Sequence, residues 1–230
     1  MYFRHAREIW EDHPALVPGV LLAPEITDGA DVDGRIARFQ GMARSRLSQM
    51  AEGEWPEIQA WRRAFAKMGC KPTQYRCAAE SLLRRFRKDG ALPRLHPLVD
   101  LCNAISLAFA VPIAVFDVSR VAQYLEVRFA AGDEHYLSFA GEVESPEPGE
   151  VIFADEAACA HARRWTHRQS AASAVRSDTK LVLIVIEALH ATAMTDIGTV
   201  LDVLAREISE LWTAPKAQAI LTKTSPVFEF

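Results

Sequence analysis

The chain has 230 residues and a formal net charge of −4 at pH 7, with 50% hydrophobic and 24% charged residues. This composition is ordinary for a globular protein, and the length is sufficient for one large domain with a well-developed core. No apolar run approaches the length that spans a bilayer, and the first residues contain acidic side chains and no apolar signal core. We therefore expect neither a membrane-spanning segment nor a secretory signal.

The negative net charge conceals a strongly basic segment. Residues 61–94 contain ten Lys and Arg side chains but only two acidic ones, so this segment carries +8 and the rest of the chain −12. A local basic patch on an acidic protein is typical of a surface that binds a polyanion. A solvated helix face is the ordinary alternative for such a run of charges, and the sequence leaves both interpretations open.

The first half of the chain is predicted to be mainly helical, after a short apolar strand at residues 19–23. Apolar side chains then recur at steps of three and four, which is the spacing of an amphipathic helix. This spacing predicts helices at residues 31–50, 54–68 and 73–88. Arg84 and Arg85 lie in the last turns of the third helix, where positive charges also suit the helix dipole.

The next predicted helix begins at Pro97 and is apolar almost all the way round, so we expect it to be buried. Asp100, Asn103 and Ser106 interrupt it at steps of three, which places them on one face. Because buried polar groups need partners, this row must meet other polar groups or a wet cavity. Pro112 then ends the helix, and a short apolar strand follows.

The second half of the chain is richer in strands. Alternating residues at 124–129, followed by turn residues, predict a hairpin with residues 136–139. Residues 181–189 are nearly all apolar and predict a central strand, although Glu187 lies inside it, where a carboxylate is costly without a partner. The other predicted elements are a strand at 151–154, a strand or helix at 158–165, a helix at 194–212 and a strand at 219–221.

Motifs for the common chemistries are absent. The four cysteines form no CxxC pair, so we expect reduced thiols in a cytoplasmic protein and no zinc site. The sequence contains no glycine-rich nucleotide loop, no HExxH motif and no GxSxG motif. We therefore predict no metal and no cofactor.

A polar and basic segment at residues 163–179 precedes the predicted central strand. Loops at the ends of strands are common positions for functional sites. His167, Arg168 and Ser170 within this segment are suited to hold a phosphate or to position a water molecule. A surface loop with merely solvated side chains is the alternative.

The stretch PLVDLCNAISLAFAVPIAVFD at residues 97–117 closely resembles the core of the B3/B4 domain, the editing domain in the β subunit of bacterial phenylalanyl-tRNA synthetase. In that domain a helix with a VD-x-x-N signature leads to a proline, a short strand and a Phe-Asp pair. The matching residues here are Val99, Asp100, Asn103, Pro112, Phe116 and Asp117. The segments AESLLRRFRKDG and WTHRQS look more like free-standing B3/B4 proteins than like the synthetase subunit.

The resemblance covers roughly residues 71–189 and implies an α+β fold. We expect a single domain over residues 1–230 with a mixed or antiparallel sheet, a buried central helix and flanking helices. Residues 71–189 would form the B3/B4-like core. Residues 1–70 would form a helical N-terminal extension, and residues 190–230 a C-terminal helix and strand.

The resemblance also implies ester hydrolysis. The synthetase domain accepts tRNA that carries the wrong amino acid, chiefly tyrosine, and a positioned water cleaves the aminoacyl ester without a covalent intermediate. Two positions depart from that pattern, because Ala114 replaces a histidine and Val185 replaces the glutamate that reads the tyrosine hydroxyl. Glu187 lies two residues further on the same strand face and is the candidate substitute.

The resulting hypothesis is a trans-acting hydrolase that deacylates mischarged aminoacyl-tRNA, with the aminoacylated 3′ end of tRNA as its partner. We expect His167 to position or activate the water and Glu187 to read the amino-acid side chain or ammonium group. The cavity is expected to be lined by Asn103, Ser106, Asp117 and Ser170. The tRNA backbone is expected to contact Arg76, Arg84, Arg85 and Arg168.

Two other functions stay open at this stage. A non-catalytic tRNA-binding or RNA-binding module would use the basic segment alone, and the alanine at position 114 favours it. A hydrolase of small amino-acid esters or amides would use the same pocket without tRNA.

Overall fold

The computed structural model describes all 230 residues and shows an α+β fold, as the sequence predicts. The α-helices are α1 (Arg7–Asp12), α2 (Asp33–Gln49), α3 (Pro56–Lys67), α4 (Ala78–Asp89), α5 (Pro97–Phe109) and α6 (Ala193–Leu211). The strands are β1 (Tyr2–His5), β2 (Val17–Pro24), β3 (Ile113–Asp117), β4 (Tyr124–Phe129), β5 (Tyr136–Leu137), β6 (Val143–Glu144), β7 (Val151–Ala154), β8 (Ala160–Arg163), β9 (Arg168–Gln169), β10 (Leu181–Ala188), β11 (Ala217–Ile220) and β12 (Val227–Glu229). No helix combines the length and apolar character needed to cross a bilayer.

The strands form two main sheets and one small hairpin. A six-stranded sheet has the order β12-β1-β4-β7-β8-β9, and a four-stranded sheet has the order β11-β2-β10-β3. The β1–β4 pair is parallel, whereas all the other pairs in these sheets are antiparallel. The mixed and antiparallel sheets that the sequence predicts are therefore confirmed. Strands β5 and β6 pair only with each other.

Strand β10 lies inside the four-stranded sheet, as its apolar sequence predicts. It pairs with β2 on one side and with β3 on the other. Because successive side chains of a strand point to opposite faces, the two faces of β10 enter two separate cores. Val182, Ile184 and Ile186 pack with α5 and α6, whereas Leu183 and Val185 pack with the tryptophan-rich core around α3.

Helix α5 is buried, as predicted, and its polar row is satisfied in different ways. Asp100 accepts a hydrogen bond from the backbone amide of Leu95 at 2.9 Å, which fixes the loop before the helix. Ser106 donates to the carbonyl oxygen of Val111 at 2.6 Å and so ties the end of the helix to the start of β3. Asn103 has no hydrogen bond to the protein and lines a cavity instead. The row thus meets both polar partners and a cavity.

Helix α4 begins five residues later than its sequence predicts, at Ala78 instead of Thr73. Hydrogen bonds to a distant loop explain the difference. The backbone amide of Ala78 donates to the carbonyl oxygen of Thr166 at 2.7 Å, and the carbonyl oxygen of Arg76 accepts from His167. These contacts hold the chain before Ala78 in a non-helical conformation.

The predicted hairpin between residues 124–129 and 136–139 is wrong. Strand β4 pairs with β7 and with β1, and β5 pairs with β6. The carboxylate of Glu134 explains the local geometry, because it accepts hydrogen bonds from the backbone amides of Ala131 and Gly132, both at 3.0 Å, and turns the chain away from β4. The pairing partner of β4 therefore comes from later in the chain.

Residues 1–70, which the sequence analysis treats as a helical extension, contribute three helices and also one strand to each main sheet. Strand β1 has no counterpart among the predicted elements. It is only four residues long, and its partners lie more than a hundred residues away in β4 and β12. Short strands with such distant partners leave little signal in the local sequence.

Candidate functional site

A small pocket brings together several of the predicted site residues. It lies where β3 and β10 pair and where the chain passes from β8 to β9. Its volume is about 60 Å³. His167 and Arg168 line it from the loop, and Glu187 lines it from β10. The structure thus places the two predicted catalytic side chains at one cavity.

The loop that carries His167 is held by a strained turn. Arg164 and Trp165 have φ angles of 46° and 58°, a region that non-glycine residues rarely adopt and that costs about 1–3 kcal/mol for each residue. The backbone amide of Trp165 donates to the carbonyl oxygen of Val151 at 2.6 Å, and that of Arg164 donates to the Glu150 carboxylate at 2.9 Å. Complete burial of the Trp165 ring helps to offset the strain.

The ring of His167 is fixed through one nitrogen and free at the other. Its Nδ1 lies 2.8 Å from the carbonyl oxygen of Arg76 and 3.4 Å from the backbone amide of the same residue, and the shorter contact, in which Nδ1 donates, assigns the proton to Nδ1. Nε2 makes no hydrogen bond to the protein and is an acceptor in this tautomer. Burial lowers the pKa of His167, and the positive charges of Arg164 and Arg168 act in the same direction. The imidazole is therefore neutral at pH 7 and able to accept a proton.

Glu187 has the partners that its buried position requires. Its Oε1 accepts hydrogen bonds from Nε2 of His5 at 2.6 Å and from the indole nitrogen of Trp165 at 2.7 Å. All three side chains are buried. The second oxygen, Oε2, makes no hydrogen bond to the protein and is not fully enclosed by it. One oxygen thus anchors the carboxylate, and the other is open to a ligand.

Ala114 and Val185 lie directly opposite each other on β3 and β10 and both line the pocket. These are the two positions where the resemblance leads one to expect a histidine and a glutamate. The wall that they form is apolar, and the polar groups come from Glu187 and from the His167 loop. A site of this kind would use different residues from those of the synthetase domain.

The other predicted cavity residues lie outside this pocket. Asn103 lines a neighbouring cavity of about 280 Å³, which meets the pocket at Ile113 and Gln169. Asp117 accepts hydrogen bonds from the hydroxyls of Thr179 and Ser119, and Ser170 donates to the carbonyl oxygen of Leu137. Ser106, Asp117 and Ser170 are buried. Their contacts hold the chain around the site.

The four arginines predicted to contact RNA are all engaged in ion pairs. Arg76 pairs with Glu80, Arg84 with Glu52, and Arg85 with Asp89, at 3.5, 3.7 and 3.6 Å. Arg168 pairs with Glu144 at 2.9 Å. Three of these four pairs use guanidinium groups that keep substantial exposure, so they remain accessible to a phosphate.

Across the whole basic segment at residues 61–94, acidic residues from elsewhere reduce the charge that the sequence predicts. The segment's ion pairs recruit Asp12, Asp33, Glu52 and Asp100 from outside it. The basic side chains without an ion pair are Arg63, Lys71 and Lys88. The basic surface is therefore weaker than a count along the sequence indicates.

A second polar cluster, which the sequence patterns did not indicate, consists of Asp155, His161 and Ser173. His161 contacts the Ser173 hydroxyl through Nδ1 at 2.8 Å and the Asp155 carboxylate through Nε2 at 3.1 Å. The residue types are those of a serine–histidine–aspartate triad, but the two ring nitrogens are exchanged, because in the triad Nε2 faces the serine and Nδ1 faces the aspartate. All three residues are buried, none lines the pocket, and Asp155 also accepts from three backbone amides. The cluster cross-links the strands around the site and offers no access to a substrate.

None of the four cysteines lines the pocket. Burial raises the pKa values of Cys77 and Cys102 to about 12, so both thiols are protonated at neutral pH. No group of three or more His, Cys, Asp or Glu side chains converges in the way that a metal ion requires. The pocket therefore presents acid–base groups of the protein itself.

The sequence of the chain is similar to those of known proteins. The family model described as the B3/4 domain matches residues 60–209, which is well over half of the chain. The phenylalanine–tRNA ligase beta subunit of Coxiella burnetii is 42% identical over 53 residues, which make up 23% of this chain and 7% of that subunit. The corresponding subunit of Haemophilus influenzae is 33% identical over 101 residues, 44% of this chain and 12% of that subunit. The chain thus spans only a small part of these relatives.

Among solved structures, an N-terminal fragment of the phenylalanyl-tRNA synthetase beta subunit from Pyrococcus horikoshii is similar with a TM-score of 0.41 and 11% identity. The similarity covers 87% of this chain and 48% of that fragment.

Proposed function

Because this chain belongs to the B3/4 domain family, we propose that it hydrolyses the ester bond of mischarged aminoacyl-tRNA. The observation that carries the proposal is the pair of groups at the pocket, a neutral His167 with a free Nε2 and a buried Glu187 with a free Oε2. A base and an anion at one cavity suit hydrolysis of an ester next to an ammonium group. No cysteine or serine lines the pocket, and the Thr166 hydroxyl is fully buried, which fits attack by water.

In the proposed reaction, Nε2 of His167 takes a proton from a water molecule while the water oxygen attacks the carbonyl carbon of the aminoacyl ester. The tetrahedral intermediate expels the ribose oxygen of the terminal nucleotide, and the protonated His167 returns the proton to that oxygen. The products are a free amino acid and deacylated tRNA. Removing such a base typically slows a reaction by about 10²–10⁴-fold.

Glu187 has a separate role in this proposal. Its Oε1 is held by His5 and Trp165, so the carboxylate has little freedom to move. Oε2 can then accept a hydrogen bond from the substrate's ammonium group or from a side-chain hydroxyl. Arg168 lines the same pocket and is suited to contact the phosphate backbone near the reacting end.

The direct test is to incubate the protein with a panel of aminoacyl-tRNAs and to follow loss of the ester. We expect cleavage of at least one member, and we expect His167→Ala to slow it by about 100-fold or more. The matched control is His135→Ala, because His135 is exposed and lies outside the pocket. Absence of cleavage across the whole panel would contradict the proposal.

A tRNA-binding module without catalysis is the second candidate, and Ala114 is the observation that favours it. This candidate predicts tRNA binding with a steep salt dependence and no deacylation. The double variant Arg84→Glu/Arg85→Glu is expected to weaken tRNA binding under either function. A free aminoacyl ester that is cleaved equally by this double variant and by the unaltered protein would instead indicate a small-ester hydrolase.

A further inference from the structure

The pocket that holds His167 and Glu187 is small in comparison with an aromatic side chain. Its volume is about 60 Å³. A cavity that binds benzene has a volume of about 150 Å³, and one water molecule occupies about 30 Å³ of liquid. The pocket by itself therefore has room for about two or three heavy atoms. A phenyl or phenol ring does not fit.

The wall formed by Trp165 and Phe153 is rigid, so the pocket cannot enlarge on that side at low cost. Trp165 is completely buried, and its ring packs edge-on against Trp61 at 5.0 Å and against His13 at 4.8 Å between ring centroids. Phe153, which lines the pocket from β7, packs against Phe116 at 5.3 Å. Moving either ring would disturb the core around α3 or the facing sheet.

We infer that this pocket selects aminoacyl groups with short side chains, such as glycyl, alanyl, seryl and threonyl groups, and rejects aromatic ones. The inference rests on the proposed deacylase function and adds the class of amino acid. The rigid rings set the size limit. The open Oε2 of Glu187 supplies an acceptor inside the small space, which suits a substrate with an ammonium or hydroxyl group nearby.

Two lining residues provide variants that change the size of the pocket in opposite directions. Ala114 is half-buried on β3, so Ala114→Leu fills the space without removing a core side chain. Val185 faces it from β10, so Val185→Ala enlarges the space. The first change is expected to slow hydrolysis of alanyl-tRNA by at least about 10-fold, and the second to raise the relative rate for larger side chains.

The experiment compares rates on tRNAs that carry glycine, alanine, serine, threonine, tyrosine and phenylalanine, with the unaltered protein and with both variants. We expect at least one short side chain to be cleaved about 100-fold faster than tyrosine and phenylalanine. Tyrosine or phenylalanine cleaved within threefold of the best short side chain would overturn the size inference and leave the deacylase function intact. Cleavage of none of the six would overturn both.

Unfolding of each variant in urea separates a filled pocket from a damaged fold. The inference requires Ala114→Leu to remain folded at the assay temperature and to lose activity on short side chains. If Ala114→Leu is folded and cleaves alanyl-tRNA at the original rate, and Val185→Ala keeps the original order of preference, the pocket does not hold the side chain and the inference is wrong.

Discussion

Two histidines six residues apart in the chain have opposite environments. His161 on β8 uses both ring nitrogens within the protein and has no exposed surface. His167 uses only Nδ1, and its other nitrogen has no partner in the protein. His161 contacts the residue types of a catalytic triad with its two ring nitrogens exchanged, whereas the contacts of His167 match no familiar motif. Access to a cavity, more than the pattern of hydrogen bonds, distinguishes a reactive histidine from a structural one.

The two histidines also differ in the charged groups around their rings. Although burial by itself raises the pKa of Asp155, hydrogen bonds from His161 and from the backbone amides of Ala122 and Cys159 hold it below its usual value. The His161 cluster is thus a closed network around a carboxylate. Burial lowers the pKa of His167, and no carboxylate is hydrogen-bonded to its ring, which keeps the ring neutral. The first arrangement stabilises the fold, and the second suits proton transfer.

The largest expected effect breaks the closed network. His161→Ala leaves the Asp155 carboxylate and the Ser173 hydroxyl buried without their side-chain partner. We expect the free energy of unfolding to fall by about 3 kcal/mol, as for other buried pairs that lose one member. Urea unfolding measures this value, with His135→Ala as the exposed control. A loss below about 1 kcal/mol would show that the cluster contributes little to stability.

The next effect is on activity. His167→Ala is expected to reduce kcat/KM for deacylation by about 100-fold, which corresponds to about 2.7 kcal/mol of transition-state stabilisation. Its cost in unfolding free energy should be smaller than that of His161→Ala, about 1–2 kcal/mol, because it loses one hydrogen bond and the edge-on contacts with Phe65 and Tyr75 but leaves no buried charge unpaired. A pattern in which His167→Ala destabilises the fold as much as His161→Ala, without a separate loss of activity, would remove the distinction between the two histidines.

Glu187 has buried structural contacts and also lines the pocket, so we expect its substitution to have intermediate effects on both stability and activity. Glu187→Gln keeps the shape but removes the charge that accepts from His5 and Trp165. Hydrogen bonds to charged groups are stronger than neutral ones, so unfolding free energy should fall by about 1–2 kcal/mol. Activity should fall as well if Oε2 contacts the substrate. An unchanged urea midpoint together with full activity would contradict both roles.

The smallest expected effect is the change of folding stability with pH. Burial lowers the pKa values of His13, His96 and His167 in the folded chain below the unfolded value of about 6.5. The unfolded chain therefore binds more protons in this range, and the stability from these groups is complete above about pH 6.5 and is lost as pH falls through the lowered values.

Deacylation should follow the same direction, since only neutral His167 accepts a proton. The expected profile is flat near neutral pH and falls at a midpoint below 6.5. Unfolding and rate measurements from pH 5 to 8 test it. His167→Ala should remove the acid limb of the rate profile and the His167 part of the stability loss, while the parts from His13 and His96 remain. A rate that rises as the pH falls below 6.5 would contradict the assigned tautomer and role.

The sequence predicts the fold best where the pattern is long and local. The apolar run of β10 and the nearly all-apolar helix α5 both occur at the predicted positions. The pairing of β4 and the start of α4 could not be predicted, because distant backbone groups determine them. A carboxylate turn at Glu134 and the loop around Thr166 override local propensity at these points.

The candidate site, like the fold, could be predicted from the sequence only in part. Composition alone draws attention to His167 and Glu187, since one lies in a polar loop and the other inside an apolar strand. Their partners are far away in sequence: Arg76 is 91 positions from His167, and His5 is 182 positions from Glu187. The triad-like contacts of His161 also depend on residues that only folding brings together. Sequence patterns thus identify the candidate groups but not their tautomers or access.

The contact between His5 and Glu187 has a consequence for when the pocket forms during folding. Strand β1, which carries His5, pairs with β12 at the other end of the chain, and the amino group of Met1 donates to the carbonyl oxygen of Phe230 at 2.7 Å. Loops this long close slowly, because a large loss of chain entropy precedes the contact. The pocket is therefore expected to mature late in folding, so partly folded copies would lack hydrolytic activity while most of the core is already formed.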